Sequence, residues 1–158
     1  MQLPSGSRFV SVVIPCLNEE EPIADVVREV LAQQVDEIIV VDNGSTDHTA
    51  ERAAAAGARV ISEPRRGYGR ACGAGLNAVD ARCDIVCFLD GDGSDVPAFL
   101  PDVIGPVAAD STDFVIGSRL LGEREPGSMA PQQILAGWLA GRLLRATYSV
   151  TFTAPSPF

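Results

Sequence analysis

The sequence predicts an α/β protein built as a three-layer αβα sandwich around a mostly parallel sheet. Short strand-like apolar runs alternate with helical patterns along the 158-residue chain, and such alternation implies βαβ units. The composition agrees, since 46% of the residues are hydrophobic and only 6% are aromatic, as in a core rich in Ala and Val. The predicted strands span residues 9–14, 37–41, 59–61, 84–89 and 114–116.

Helical periodicity fills the segments between these strands. After the first strand, apolar residues recur with the spacing of one helix face. They are Ile23, Val26, Val27, Val30 and Leu31. Asn18 is the expected N-cap of this helix, and Pro22 lies early in it. Further helices are predicted over residues 47–56, 69–81 and 95–107, the first of which should end at Gly57.

The composition of the chain changes after residue 119. Residues 120–131 are rich in Gly, Pro and charged side chains, which predicts a mobile loop. Residues 132–158 should form a C-terminal helix over 132–146 and a strand over 148–152. We expect one domain over residues 1–158. The helix could pack on its own domain, on a second subunit of a homodimer, or as a peripheral contact at the inner face of a membrane.

The composition excludes several classes of protein. A net charge of −9 argues against nucleic acid as a partner, because phosphate backbones are bound by Lys and Arg. The four cysteines form no Cys-x-x-Cys pair and there is one histidine, which argues against a structural zinc site. The start of the chain has no signal-like apolar segment, and no stretch is clearly long enough to span a membrane. A cytoplasmic protein is therefore expected.

Asp90 and Asp92 directly follow the apolar run of the fourth predicted strand. Ligands of open α/β sheets bind at the carboxyl ends of the strands. Two carboxylates separated only by Gly91 repel each other unless a cation lies between them, and Mg²⁺ or Mn²⁺ prefers oxygen ligands. The pair therefore predicts a divalent-metal site that also binds substrate phosphates, although Asp-Gly-Asp also occurs in ordinary turns.

Two more polar loops, residues 15–20 and 42–47, follow predicted strands. Loops that follow parallel strands open at the same edge of the sheet. Their short polar side chains and glycines can hydrogen-bond a base and a ribose. Helix caps and tight turns explain each loop equally well. Together with residues 90–95, however, the loops favour a nucleotide site.

In this order, these segments resemble the family 2 glycosyltransferases of the GT-A fold, in particular the dolichyl-phosphate mannose synthase-like branch. The matching segments are residues 12–20, 39–47, 67–71, 88–92 and 117–119. The resemblance implies an enzyme that moves a sugar, with inversion, from a nucleotide-diphospho-sugar (a UDP- or GDP-sugar) to an acceptor. A polyprenyl phosphate is the acceptor that this branch suggests.

The resemblance also implies roles for single residues. Those expected to line the nucleotide are Pro15, Leu17, Asn18, Glu19, Asn43, Gly69 and Asp90. Asn43 would meet the base at a position where the family usually has Asp, and an amide can donate as well as accept. Asp90 and Asp92 would hold Mg²⁺ or Mn²⁺ on the diphosphate. Arg119 would act with Asp92 by reaching the diphosphate or the acceptor phosphate.

Alternatives remain open at this point. Relatives of this branch continue past residues 154–158, so the chain is expected to be C-terminally shortened, and a nucleotide-sugar-binding domain without turnover is the second hypothesis. A metal-dependent nucleotidyltransferase is the third, but its Gly- and Lys/Arg-rich phosphate loop would follow the first strand. The spacing of Gly67, Gly69 and Gly73 does not match a Rossmann fingerprint. No general base is identified.

Overall fold

The computed structural model of the protein describes residues 8–117. Chain packing divides the protein into two compact units, Met1–Asp113 and Phe114–Phe158, and the fold given below is that of the first unit. The single domain predicted over residues 1–158 stays a prediction. The predicted loop 120–131, the helix 132–146, the strand 148–152 and Arg119 lie outside the described residues.

A four-stranded parallel sheet with the strand order β3-β2-β1-β4 forms the centre of this unit. The strands are β1 (Phe9–Cys16), β2 (Glu37–Asp42), β3 (Arg59–Ser62) and β4 (Cys83–Phe88). The helices are α1 (Ile23–Leu31), α2 (Thr49–Ala56), α3 (Tyr68–Ala78) and α4 (Leu100–Ala108), the last preceded by a 3₁₀ turn at Pro97–Phe99. The predicted α/β class and parallel sheet are confirmed.

The side chains of β1 alternate between two apolar layers, as the two-residue period of a strand requires. Val12 and Ile14 pack into the cluster that contains the buried residues of α1, α2 and α4. Val13 packs into a second cluster, with Ala71 of α3. All three β1 side chains are fully buried. Helices therefore cover both faces of the sheet and make the three predicted layers.

The helical periodicity predicted for α1 is confirmed, but its predicted start and cap are wrong. Ile23, Val26, Val27 and Val30 are buried, whereas Leu31 is 44% exposed at the end of the helix. Pro22 occupies the N-cap position and makes no side-chain cap hydrogen bond. Asn18 lies outside the helix at φ +58°, and its side-chain oxygen accepts a hydrogen bond from the backbone of another loop instead.

Other elements also differ from the prediction. α3 spans Tyr68–Ala78 rather than residues 69–81, and α4 begins at Leu100 rather than at residue 95. α2 begins at Thr49 rather than at residue 47, because the carboxylate of Asp47 accepts a hydrogen bond from the Thr49 N–H and so lies before the first turn. Gly57 ends α2 at φ +110°, as predicted. Residues 114–116 are not a strand, so the fifth predicted strand is wrong. Phe114 is 69% exposed, and an apolar run alone does not make a strand.

No helix within residues 8–117 is long and apolar enough to span a membrane.

Gly75 sets how closely α3 approaches the sheet. A Cβ atom on Gly75 would collide with Cγ1 of Val13 and lie 3.0 Å from Cγ2 of Val41. Both valines are fully buried in the middle of the sheet, so neither can move aside easily. A Cβ on Gly73, two residues earlier in α3, would meet nothing within 4 Å.

We expect Gly75→Ala to lower the free energy of unfolding by about 1–3 kcal/mol, the usual cost of overpacking a core. Gly73→Ala is the matched control, and it should raise stability by up to about 1 kcal/mol, since Ala is the better helix former. Urea unfolding of both variants measures the difference. Equal stability of the two variants would contradict the close packing of α3 on β1.

Candidate functional site

The carboxyl ends of β1, β2 and β4 bring the three polar loops to one edge of the sheet. Cys16 at the end of β1 pairs with Asp42 at the end of β2. On the other side of β1, the Leu89 N–H donates to the Val13 carbonyl at 3.1 Å. Because β2 and β4 lie on opposite sides of β1, the chain reverses its winding there. Such a switch point is where open α/β sheets bind ligands.

Hydrogen bonds join the loop after β1 to the loop after β2. The Asn18 N–H donates to Ser45 Oγ at 3.0 Å, and Asn18 Oδ1 accepts from the Thr46 N–H at 2.8 Å. One residue further, the Glu19 N–H donates to Thr49 Oγ1 at 2.8 Å. Both loops therefore behave as one wall of the site, with the Glu19 side chain half-buried.

Asn43 lies in this wall but is buried, with 5% of its surface exposed. Its Nδ2 donates to the carbonyls of Glu63 at 2.7 Å and of Arg65 at 3.0 Å. Its Oδ1 accepts from the Gly67 N–H at 2.8 Å. The amide thus connects the loop after β2 to the segment between β3 and α3. Its predicted contact with a base stays a prediction.

An ion pair stabilises the same segment between β3 and α3. The Arg65 guanidinium donates to both carboxylate oxygens of Glu63, at 3.0 and 2.9 Å, and the Arg65 N–H donates to one of them. The hydrogen bonds from Arg65 lower the pKa of Glu63 to about 2. Glu63 therefore stays ionised, and the positive charge of Arg65 is already paired.

The Asp-Gly-Asp segment is pressed against the end of β1. A Cβ on Gly91 would collide with Cys16 Sγ and lie 3.5 Å from the Pro15 carbonyl oxygen, so a side chain here would require the buried Cys16 to move. Asp90 Oδ1 accepts a hydrogen bond from the Tyr68 hydroxyl at 3.0 Å. Asp92 is exposed, and its Oδ1 accepts from the Ser94 N–H at 2.8 Å.

Negative charge concentrates around Glu19. Its pKa is raised by burial first, and then by the carboxylates of Asp92, Asp47 and Asp90. Burial together with the nearby carboxylates raises the pKa of the Cys16 thiol to about 12. Cys16 therefore stays protonated and is neither a nucleophile nor a metal ligand.

The donor set of the site fits a hard divalent cation that brings part of its own ligand shell. Within residues 8–117, no three His, Cys, Asp or Glu side chains are grouped so as to enclose a metal ion. Mg²⁺ is typically held by one or two carboxylates, with substrate phosphates and water as the other ligands. Asp90 and Asp92 supply carboxylates of that kind, so they fit a cation that binds together with a diphosphate.

The remaining predicted residues differ in their exposure. Pro15 is buried, whereas Leu17 and Asn18 are exposed. Gly69, in the first turn of α3, leaves open space where a side chain would lie. The sequence interpretation did not assign site contacts to Glu63 or Tyr68. A single acidic residue and a single tyrosine form no sequence pattern that predicts a site. The arginines concentrated in residues 65–70 do indicate this segment, which contains Tyr68 and follows Glu63.

The fold and this acidic edge are typical of α/β proteins that bind a ligand at the carboxyl ends of a parallel sheet, and comparison with known proteins identifies the family. The chain belongs to glycosyl transferase family 2, whose family model matches residues 11–157. It is 41% identical to glucosyl-3-phosphoglycerate synthase of Mycolicibacterium smegmatis, over 68% of this chain and 39% of the relative. It is 44% identical to an uncharacterized glycosyltransferase of Mycobacterium tuberculosis, over 70% of this chain and 48% of the relative.

Solved structures give the same result and confirm the GT-A fold. One is the crystal structure of glucosyl-3-phosphoglycerate synthase from Mycobacterium tuberculosis in complex with Mn²⁺, UDP-glucose and phosphoglyceric acid. It matches with a TM-score of 0.65 and 34% identity over 90% of this chain and 51% of that chain. A complex of that enzyme with Mg²⁺ and UDP has a TM-score of 0.62. The chain spans less than half the length of the Mycolicibacterium smegmatis synthase and of the uncharacterized glycosyltransferase.

The carboxylates near Glu19 lead to a testable prediction about its pKa. We expect Asp92→Asn to lower the pKa of Glu19, because the variant removes the largest charge contribution to the raised value. The pKa should stay above that of a free glutamate, since burial contributes more than Asp92 does. A pH titration of the Glu19 carboxyl carbon by NMR measures the change.

Asp102→Asn is the matched control, because Asp102 in α4 is not among the groups that raise this pKa. The sign for stability follows from the raised value. The folded state holds the Glu19 proton more tightly, so stability is lost as the pH rises through the raised pKa, and Asp92→Asn should reduce that loss. An unchanged Glu19 titration in Asp92→Asn would contradict the cluster.

Proposed function

We propose that this protein is a metal-dependent glycosyltransferase that moves a sugar from a UDP-sugar to a small phosphorylated acceptor. The observation that carries the proposal is the Asp-Gly-Asp segment. It lies against the end of β1, with Asp90 and Asp92 close enough to Glu19 to raise its pKa. This arrangement, in a member of glycosyl transferase family 2, supports binding of a nucleoside diphosphate through a cation.

The proposed chemistry is stabilisation of the leaving group. A bound Mg²⁺ or Mn²⁺ would offset the negative charge that develops on the departing diphosphate. Asp92, the exposed member of the pair, would hold the cation together with Asp90. Asp90, whose carboxylate is oriented by the Tyr68 hydroxyl, would fix the approach of the nucleotide. Glu19 and the loop bound to it would line the ribose.

The relatives support a particular donor and acceptor. Complexes of the Mycobacterium tuberculosis enzyme contain UDP-glucose with glycerol 3-phosphate or with phosphoglyceric acid. We therefore favour UDP-glucose as the donor and a three-carbon phosphate as the acceptor. The polyprenyl phosphate suggested by the sequence resemblance has no counterpart in those complexes. Homodimer or membrane contact through residues 132–146, and the phosphate contact of Arg119, stay predictions.

Calorimetry followed by a product assay tests the proposal. UDP, UDP-glucose, GDP and GDP-mannose are titrated with Mn²⁺ and with EDTA. UDP-glucose is then incubated with 3-phosphoglycerate, glycerol 3-phosphate or a short polyprenyl phosphate. We expect Mn²⁺-dependent binding of UDP-glucose and transfer to a three-carbon phosphate. Binding without transfer to any acceptor would favour the alternative, a nucleotide-sugar-binding domain without turnover. Equal affinity in EDTA would overturn the metal dependence.

Asp92→Asn tests the cation site directly. We expect it to weaken binding of UDP in Mn²⁺ by about tenfold or more, since even replacing residues that only support metal ligands costs about 10–100-fold in metal affinity. In EDTA the variant and the wild-type protein should bind UDP equally weakly. Asp102→Asn, which removes the same charge from α4, should leave both affinities unchanged.

A further inference from the structure

The side-chain amide of Asn43 has no hydrogen left with which to read a base. An asparagine amide offers two donor hydrogens and one acceptor oxygen. Both hydrogens are used, on the carbonyls of Glu63 and Arg65, and the oxygen accepts from the Gly67 N–H. With 5% of the residue exposed, any donation to a ligand would break a hydrogen bond to a buried or partly buried carbonyl, which is unfavourable.

The segment that Asn43 holds leads directly to the Asp-Gly-Asp pair. Gly67 is the N-cap residue of α3 at φ +139°, a conformation that a residue with a side chain rarely adopts. The next residue is Tyr68, whose hydroxyl donates to Asp90 Oδ1. A continuous series of contacts therefore runs from the loop after β2, through Asn43, Gly67 and Tyr68, to Asp90.

Other contacts fasten the same segment to the same loop. The Glu63 N–H donates to the Asp42 carbonyl at 2.9 Å, and Arg66 Nη2 lies 3.4 Å from the Gly44 carbonyl oxygen. The pair between Glu63 and Arg65 braces the backbone between these points. Asn43 is the central member of this set, because its side chain contacts Glu63, Arg65 and Gly67 at once.

We propose that Asn43 is a positioning residue: its amide fixes residues 63–67 so that Tyr68 orients Asp90 for the cation and the diphosphate. The inference rests on the proposed function and deepens it, because it assigns control of the acidic site to a residue expected to meet the base. An amide is required. A carboxylate could accept from Gly67 but could not donate to the two carbonyls, and it would repel them.

The test compares Asn43→Ala and Asn43→Asp with the same two changes at Asn77, an exposed asparagine of α3. Hydrogen exchange of the Gly67 amide, measured by NMR without ligand, reports whether Asn43 still holds residues 63–67 in place. We expect faster exchange in both Asn43 variants, most in Asn43→Asp, and no change in the Asn77 variants. Glu63→Gln, which weakens the brace from the other side, should speed exchange in the same direction and serves if an Asn43 variant fails to fold.

Binding separates positioning from base reading. Affinities for UDP, CDP, GDP and ADP are measured with Mn²⁺ at a temperature where each variant is fully folded. A positioning residue should lower all four by the same factor, about tenfold or more by analogy with residues that support metal ligands. Tyr68→Phe should lower them similarly while Gly67 stays protected, since only the contact with Asp90 is lost.

Two results would overturn the inference. One is unchanged Gly67 exchange in Asn43→Ala. The other is a loss confined to one nucleotide while Gly67 stays protected, which would make Asn43 a base-reading residue. If the wild-type protein binds no nucleotide, the proposed function is wrong. Gly67 exchange then still decides whether Asn43 fixes residues 63–67.

Discussion

Burial of β1 on both faces is the constraint on which the rest of the structure depends. Val12 and Ile14 contribute to one apolar layer and Val13 to the other, so this strand can lie only between two layers of helices. Its neighbours β2 and β4 must then pair on either side, and their loops must emerge at the same edge. The acidic site follows from this placement, because each of its loops continues a strand that the core has fixed.

Close backbone packing carries this constraint into the site. α3 reaches the sheet because Gly75 has no side chain, and the Asp-Gly-Asp segment reaches the end of β1 because Gly91 has none. These two contacts position α3 and the Asp-Gly-Asp segment against the same strand. The hydrogen bond between Tyr68 and Asp90 therefore depends on packing in the core as well as on the segment that Asn43 holds.

Much of the fold could be predicted from the sequence, because the apolar periods of β1 and α1 report directly which faces are buried. The cap of α1 could not, since Asn18 has a cap's chemistry but its oxygen binds Thr46, 28 residues away. Residues 114–116 are an apolar run but do not form a strand. In the candidate site, the sequence predicted that Asp90 and Asp92 follow a strand at the edge of the sheet. The contacts of Asn43 with residues 63–67 were not, because no local pattern encodes a tertiary hydrogen bond.

The charge of the site decides what can bind there. Asp90 and Asp92 lie close enough to Glu19 to raise its pKa, in a protein of net charge −9, so the local field repels a free diphosphate. The arginines of the adjoining segment offset this only in part, because Arg65 is already paired with Glu63. A divalent cation removes the repulsion among the carboxylates and supplies attraction for the phosphates at once. We therefore expect nucleotide binding at this edge to require the cation, and the geometry of Asp90 and Asp92 matters because it would fix where that charge lies.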